Sequence, residues 1–117
     1  MHNHRAKGRA GEDTAVDYLT KKGYHILERN FRFERGEIDI IAVDKEDLVF
    51  VEVKARRSKA FGDPEDALTA AKCNQIRKVA EGYLSECNID DQQCRFDVIA
   101  IEYEEDVPVI RHLVDAF

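Results

Sequence analysis

Asp39, Glu52 and Lys54 are the residues of this sequence whose types and spacing suit chemistry. Asp39 lies in Gly-Glu-Ile-Asp-Ile-Ile-Ala-Val, residues 36–43, and the other two in Leu-Val-Phe-Val-Glu-Val-Lys-Ala-Arg, residues 48–56. Between these stretches stands the polar tetrapeptide Asp44 to Asp47, and short runs of Ile, Val and Phe on both sides of such a turn predict a β-hairpin. A loop centred on Lys45 and Glu46 pairs Val43 with Leu48, Ile41 with Phe50, Asp39 with Glu52 and Glu37 with Lys54. Because side chains alternate with period two, these partners project from one face. Two carboxylates opposed at about 5 Å repel by about 3 kcal/mol at an effective dielectric of about 20. That is a large fraction of the ~5–15 kcal/mol that holds a typical domain together.

A divalent cation turns this repulsion into shared coordination, and Mg²⁺ or Mn²⁺ suits carboxylate oxygens completed by water. Lys54 then stands beside the ion as a positive charge and a proton-handling group. The other reading is an exposed hairpin face on which Lys54 bridges Glu37 or Glu52. Against it, Val49, Val51 and Val53 make one face of the second strand apolar, and Leu48 and Phe50 begin the other face in the same way. Such a strand belongs in the centre of a covered sheet, where an acid without a partner is costly.

The elements around the hairpin follow from periodicity. Residues 6–22 read as a helix with Ala15, Val16 and Leu19 on its inner face and Gly23 at its end. Glu12 falls on that inner face, where it is either capped by a distant donor or close to a cation. Gly8 and Gly11 beside it let another backbone, or a phosphate, come near. Residues 24–33 predict a strand, so three successive strands form an antiparallel meander. Asp63-Pro64-Glu65-Asp66 starts a short helical turn that yields at Thr69 to a helix reaching about Glu86. Its stripe is Ile76, Val79, Ala80, Tyr83, Leu84 and Cys87. Lys72, at the near end of that stripe, either reaches a substrate phosphate or snorkels at the helix end. Residues 95–103 form a mostly apolar strand reached by a helical crossover, and Pro108 makes the following segment, 107–114, an edge strand.

At 117 residues, with 44% apolar and 36% charged side chains, the chain has the size and composition of one soluble domain, 1–117. Met1 to Arg5 is polar and expected to fray, with His2 and His4 given no functional role. Nothing approaches the ~20 apolar residues of a membrane span, and no signal-peptide apolar region is present, so a cytoplasmic protein is expected. Cys73, Cys87 and Cys94 show neither disulfide nor zinc spacing. The net charge of −6 is unevenly spread, +2 over residues 1–80 and −8 over residues 81–117. Basic clusters at Arg5, Lys7, Arg9, at Arg29, Arg32, Arg35 and at Arg56, Arg57, Lys59 leave room for phosphate contacts despite the acidic total.

The element order, with Asp39 followed by Glu52-Val53-Lys54, resembles the PD-(D/E)XK nuclease superfamily. The two hairpin strings, with Asn30-Phe31-Arg32 before and Phe61-Gly62 after, look like the bacterial YraN-like family, which is similar to archaeal Holliday junction resolvases. The resemblance implies an α/β fold with a restriction-endonuclease-like α-β-β-β-α-β core, a mixed central sheet, helices on both faces and a C-terminal edge strand. It also implies metal-dependent endonuclease activity on nucleic acid, expected to be DNA and including branched forms. Asp39, Glu52, the Val53 carbonyl and Glu12 would hold Mg²⁺ or Mn²⁺, with Lys54 as the catalytic lysine. Arg32, Arg56 and Lys72 would contact the nucleic-acid backbone. Two departures stand out. Ile38 replaces the proline that names the superfamily, and Gln75 is followed four residues later by Val79, so the Gln-x-x-x-Tyr motif of exonuclease-type relatives is missing. A nucleic-acid-binding module without turnover and a protein-interaction domain are the alternatives, and a homodimer stays open beside a monomer.

Overall fold

The computed structural model describes residues 3–57 and 62–117, with side chains from Ala10 onward. The expectations for His2, His4, the Arg5, Lys7, Arg9 cluster, Lys59 and Phe61 therefore lie outside what is described. The order is α1 (Asn3–Lys21), β1 (His25–Phe33), β2 (Gly36–Asp44), β3 (Asp47–Arg56), a 3₁₀ turn (Pro64–Ala67), α2 (Ala70–Glu86), β4 (Cys94–Glu104) and β5 (Val107–Leu113). One five-stranded sheet runs β1-β2-β3-β4-β5, with β3 in the centre. The first three strands are an antiparallel meander, β4 joins β3 in parallel after the α2 crossover, and β5 closes the far edge antiparallel to β4. This is the expected α-β-β-β-α-β core with a C-terminal edge strand.

The two apolar faces of β3 find two separate partners. Val49 and Val51 pack with Ile40, Ala42, Ile99 and Ile101 beneath Ala15 and Leu19 of α1. Leu48 and Phe50 pack with Ile38 and Ile41 against Ile76, Val79, Ala80 and Tyr83 of α2. At ~1.5–3 kcal/mol for each large apolar side chain, burial on both faces fixes the sheet between the helices. Cys87, expected on the α2 stripe, is exposed just beyond the helix end, where the stripe has left the sheet.

Both helices approach closely at glycines. A Cβ on Gly11 would sit 3.3 Å from the Cβ of Ala55, so α1 crosses almost directly over β3. A Cβ on Gly36 would collide with a methyl of Val79, so α2 rests on the first residue of β2.

Strict alternation fails at one place in β2. Ile38 and Ile41 are three apart yet share the α2-side cluster. Directly across, Arg29 pairs with Ile40 and Phe31 with Ile38, while Asn30 between them has φ 55° and no ladder partner. Asparagine tolerates this left-handed conformation better than most residues. The irregularity re-aims Asp39.

Strand β4 is less apolar than its sequence suggests. Asp97 is fully buried and accepts hydrogen bonds from Arg95 at 3.0 Å and from the Asp115 backbone N–H at 3.0 Å, with His112 Nε2 at 2.7 Å. Burial works against its charge, but these partners outweigh it and hold Asp97 below the usual carboxylate range. Arg95 also binds Asp44 at 3.0 Å and Asp47 at 2.9 Å, tying the hairpin turn to β4. Across β4 from Lys54, Arg111 of β5 grips Glu65 of the 3₁₀ turn at 2.6 Å and Glu102 of β4 at 3.1 Å.

Candidate active site

The β2–β3 ladder runs as expected from Asp44↔Asp47 through Val43↔Leu48 and Ile41↔Phe50 to Ile40↔Val51, and there it stops. The expected pairs Asp39 with Glu52 and Glu37 with Lys54 do not form as ladder partners. Turned by the irregularity opposite Asn30, Asp39 places its Oδ2 2.8 Å from the backbone N–H of Val53 and accepts its hydrogen bond. A side chain thus takes the place of a strand carbonyl, and the two strands fork. Glu37 is drawn instead to Arg32 at 2.9 Å.

The fork still brings the two acids close enough for the charge of Glu52 to act on Asp39. Burial, and then the charge of Glu52, push Asp39 up to about 8, with the Val53 N–H opposing and the charge of Glu12 adding to the rise. The half-buried Asp39 therefore favours its protonated form beside the buried Glu52. Glu52 is 5% exposed, with the ammonium of Lys54 at 3.4 Å and that of Lys72 at 3.8 Å. Lys72 arrives from the first turn of α2, where Thr69 caps the helix by accepting the Lys72 backbone N–H at 3.1 Å. Its ammonium is drawn to Glu52, a contact that neither of the roles expected for Lys72 included.

Glu12 has the distant donors that its position on α1 required. Asn30 Nδ2 donates to it at 2.9 Å and Arg29 lies at 3.4 Å, while the same guanidinium holds Asp13 at 2.6 Å. Its charge nonetheless reaches Asp39. Arg32, 77% exposed, is tied to Glu37. Arg56 is half-buried two residues past Lys54, level with Glu102 across the β3–β4 ladder. Neither arginine has a contact with Asp39 or Glu52. Sequence reasoning missed Arg29 as a site residue, and it quoted Asn30 without a role. The available signal was an asparagine inside an otherwise regular strand, since that residue type marks left-handed breaks.

The donor set fits a hard divalent cation. Asp39 and Glu52 bring two carboxyls to a position where an ion would relieve their repulsion. In a strand the N–H and C=O of one residue face the same edge. The Val53 carbonyl therefore looks into the fork, alongside the N–H that Asp39 holds. Among the described residues no three His, Cys, Asp or Glu side chains converge closely enough to enclose an ion. Two carboxylates, one carbonyl and several waters suit Mg²⁺, which keeps much of its hydration. Glu12 is held by Asn30 and Arg29, and its charge acts on Asp39 from behind the pair.

Residues 11–101 match the family model described as Uncharacterised protein family UPF0102. A UPF0102 protein of Trichlorobacter lovleyi is 48% identical over 115 residues, 97% of this chain and 91% of its own length. Another, from Geobacter metallireducens, is 46% identical over 117 residues, covering 100% of this chain and 95% of the relative. A third, from Chlorobium phaeobacteroides, is 52% identical over 94 residues, 80% and 75% of the two chains. A family model spanning the forked hairpin and both helix packings, with relatives matched along most of their length, means that the chain belongs to the UPF0102 family, the YraN-like family that its two hairpin strings resemble.

Proposed function

We propose that this protein is a metal-dependent endonuclease that hydrolyses phosphodiester bonds in nucleic acid, with DNA, branched DNA included, as its substrate class. The observation that carries the reading is the fork itself. β2 and β3 stop pairing at the point where Asp39 meets Glu52, and two lysines converge on the same buried carboxylate. A hairpin selected only for stability has no reason to give up ladder bonds for that arrangement. The α-β-β-β-α-β order adds support by analogy with restriction-endonuclease-like nucleases.

Asp39, Glu52 and the Val53 carbonyl would bind the ion, with Glu12 supplying negative charge behind them. Once bound, Mg²⁺ or Mn²⁺ supplies charge neutralisation at the phosphate and a water of lowered pKa. Lys54 holds its ammonium beside Glu52, where it faces both the attacking water and the oxygens on which negative charge grows. Lys72 adds a second cation on the α2 side, positioned for a phosphate of the bound strand. Arg56 lies farther along β3, within reach of a neighbouring phosphate and away from the reaction centre.

This division of labour is tested by comparing Lys54→Ala with Arg56→Ala. Lys54→Ala lowers cleavage by about 10²–10³-fold, as losing one transition-state donor does, while affinity for the substrate changes little. Arg56→Ala weakens binding and flattens the log–log salt dependence by about 0.9 for duplex DNA, one phosphate contact. Equal losses of cleavage and affinity in both variants would remove the distinction between the two side chains, and with it the catalytic role of Lys54.

A further inference from the structure

A cleft of about 1060 Å³ opens between the β1–β2 turn and the first turns of α2. Its wall includes Phe33, Arg35, Lys72, Gln75, Lys78 and Val79. Lys72 is also the side chain that reaches Glu52, so the cleft begins where the carboxylate pair ends. Three cations line it against a single acid, Glu34. Arg35 and Lys78 are exposed, and neither has an acidic partner among the described residues. Gln75 braces the turn by donating to the Arg35 carbonyl at 3.4 Å.

The helix that forms one wall has its charges in an order that does not serve stability. α2 has no acid in its first turn and no base in its last. It carries Lys72 near its start and Glu86 at its end. Helices gain about 0.3–1 kcal/mol for each charge placed the other way round. In the free protein Glu52, at 3.8 Å, offsets Lys72 at the positive end of the helix, while Lys78 has no acid beside it among the described residues.

We propose that this cleft holds one unpaired polynucleotide strand leading away from the reacting phosphodiester, an inference that rests on the nuclease reading of the adjacent carboxylates. Lys72 and Lys78 are six residues apart, about 9 Å along α2 at ~1.5 Å per residue. At ~3.4 Å per nucleotide of one strand, that spans two to three phosphates. The volume is about that of the largest small-ligand sites, ~1000 Å³, so a few nucleotides of one strand fit. Phe33, half-buried, gives the wall an aromatic part. Apolar and aromatic surface beside cations is what single-strand grooves offer to bases and phosphates together.

The test is fluorescence anisotropy with the full chain in a chelating buffer, so that binding is read without cleavage. The probes are a labelled blunt duplex and the same duplex with a short single-stranded tail. The tail is expected to tighten binding about fivefold or more, the low end of what stacking one base contributes. Lys78→Ala and Arg35→Ala each remove most of that gain and lower the salt slope by about 0.7, the single-strand value. Lys78→Arg keeps the gain. Equal affinity for tailed and blunt probes overturns the proposal, as does a tail advantage that survives in both alanine variants. Displacement of the tailed probe by polyglutamate as readily as by oligonucleotide also overturns it, since the cleft would then recognise charge alone. Absence of cleavage in a separate assay with metal leaves the binding result intact and counts against the nuclease reading only.

Discussion

Asp39 is the residue on which the site turns, and its protonation gives the pair a signature in stability. Folding raises its pKa from 3.8 to about 8, so between those values the folded chain keeps a proton that the unfolded chain has lost. Stability therefore falls as pH rises through that window, and the full cost is present above it. Asp39→Asn has no proton to lose and retains an oxygen for the Val53 N–H. The variant is expected to melt several degrees above the parent on the alkaline side of about pH 8 and close to it on the acidic side. Added Mn²⁺ should raise the parent's melting temperature above that pH and leave Asp39→Asn nearly unmoved. Thermal melts of both chains across the window check this, and parallel pH profiles would contradict the raised pKa of Asp39. The identities of Asp39, Glu52 and Lys54 were legible because period-two alternation and a polar turn set a hairpin register. The fork was not. It depends on the left-handed backbone of Asn30 in a different strand, and alternation along β2 alone carries no trace of it.

At the scale of elements, the site exists because two helices hold opposite faces of one hairpin. α2 can deliver Lys72 to Glu52 only by lying close on β2, which the missing side chain of Gly36 allows. Gly36→Ala drives a Cβ into Val79 and is expected to cost about 1–3 kcal/mol, as overpacking does. Combining it with Val79→Ala should recover part of the loss, because the removed methyls are the ones struck. Denaturant melts of the two single variants and the double variant measure this coupling, and strict additivity would contradict the contact. The order and approximate bounds of the elements were readable from apolar periodicity and from Asp63-Pro64, which starts a 3₁₀ turn before the Thr69 cap. Strand β4 was misjudged in one respect. Asp97 sits within an apolar run, and its partners Arg95, His112 and Asp115 become visible only when β5 folds back along β4.

Over the whole molecule, a charge network at the hairpin-turn end of β3 stands apart from the candidate site near its other end. Near the hairpin turn, Arg95 binds Asp44, Asp47 and Asp97, and it donates to the Tyr24 hydroxyl at 2.6 Å. Removing it strands a fully buried Asp97 with less compensation. Arg95→Met is expected to destabilise the fold by about 3–5 kcal/mol, the range for breaking a buried pair from one side, without touching a residue of the fork. Equilibrium unfolding gives this value directly. A loss below about 1 kcal/mol would place the pairing among surface ion pairs of little weight. At the other end of β3, Asp39, Glu52, Lys54 and Lys72 form the arrangement that the proposed phosphodiester hydrolysis would use. The most direct measurement is therefore cleavage by the unaltered chain, with Mg²⁺ or Mn²⁺, of labelled linear duplex, single-stranded, flapped and four-way-junction substrates. The account predicts metal-dependent cuts in at least one of them that vanish in Lys54→Ala. Binding to the panel without any cut under either metal would contradict it.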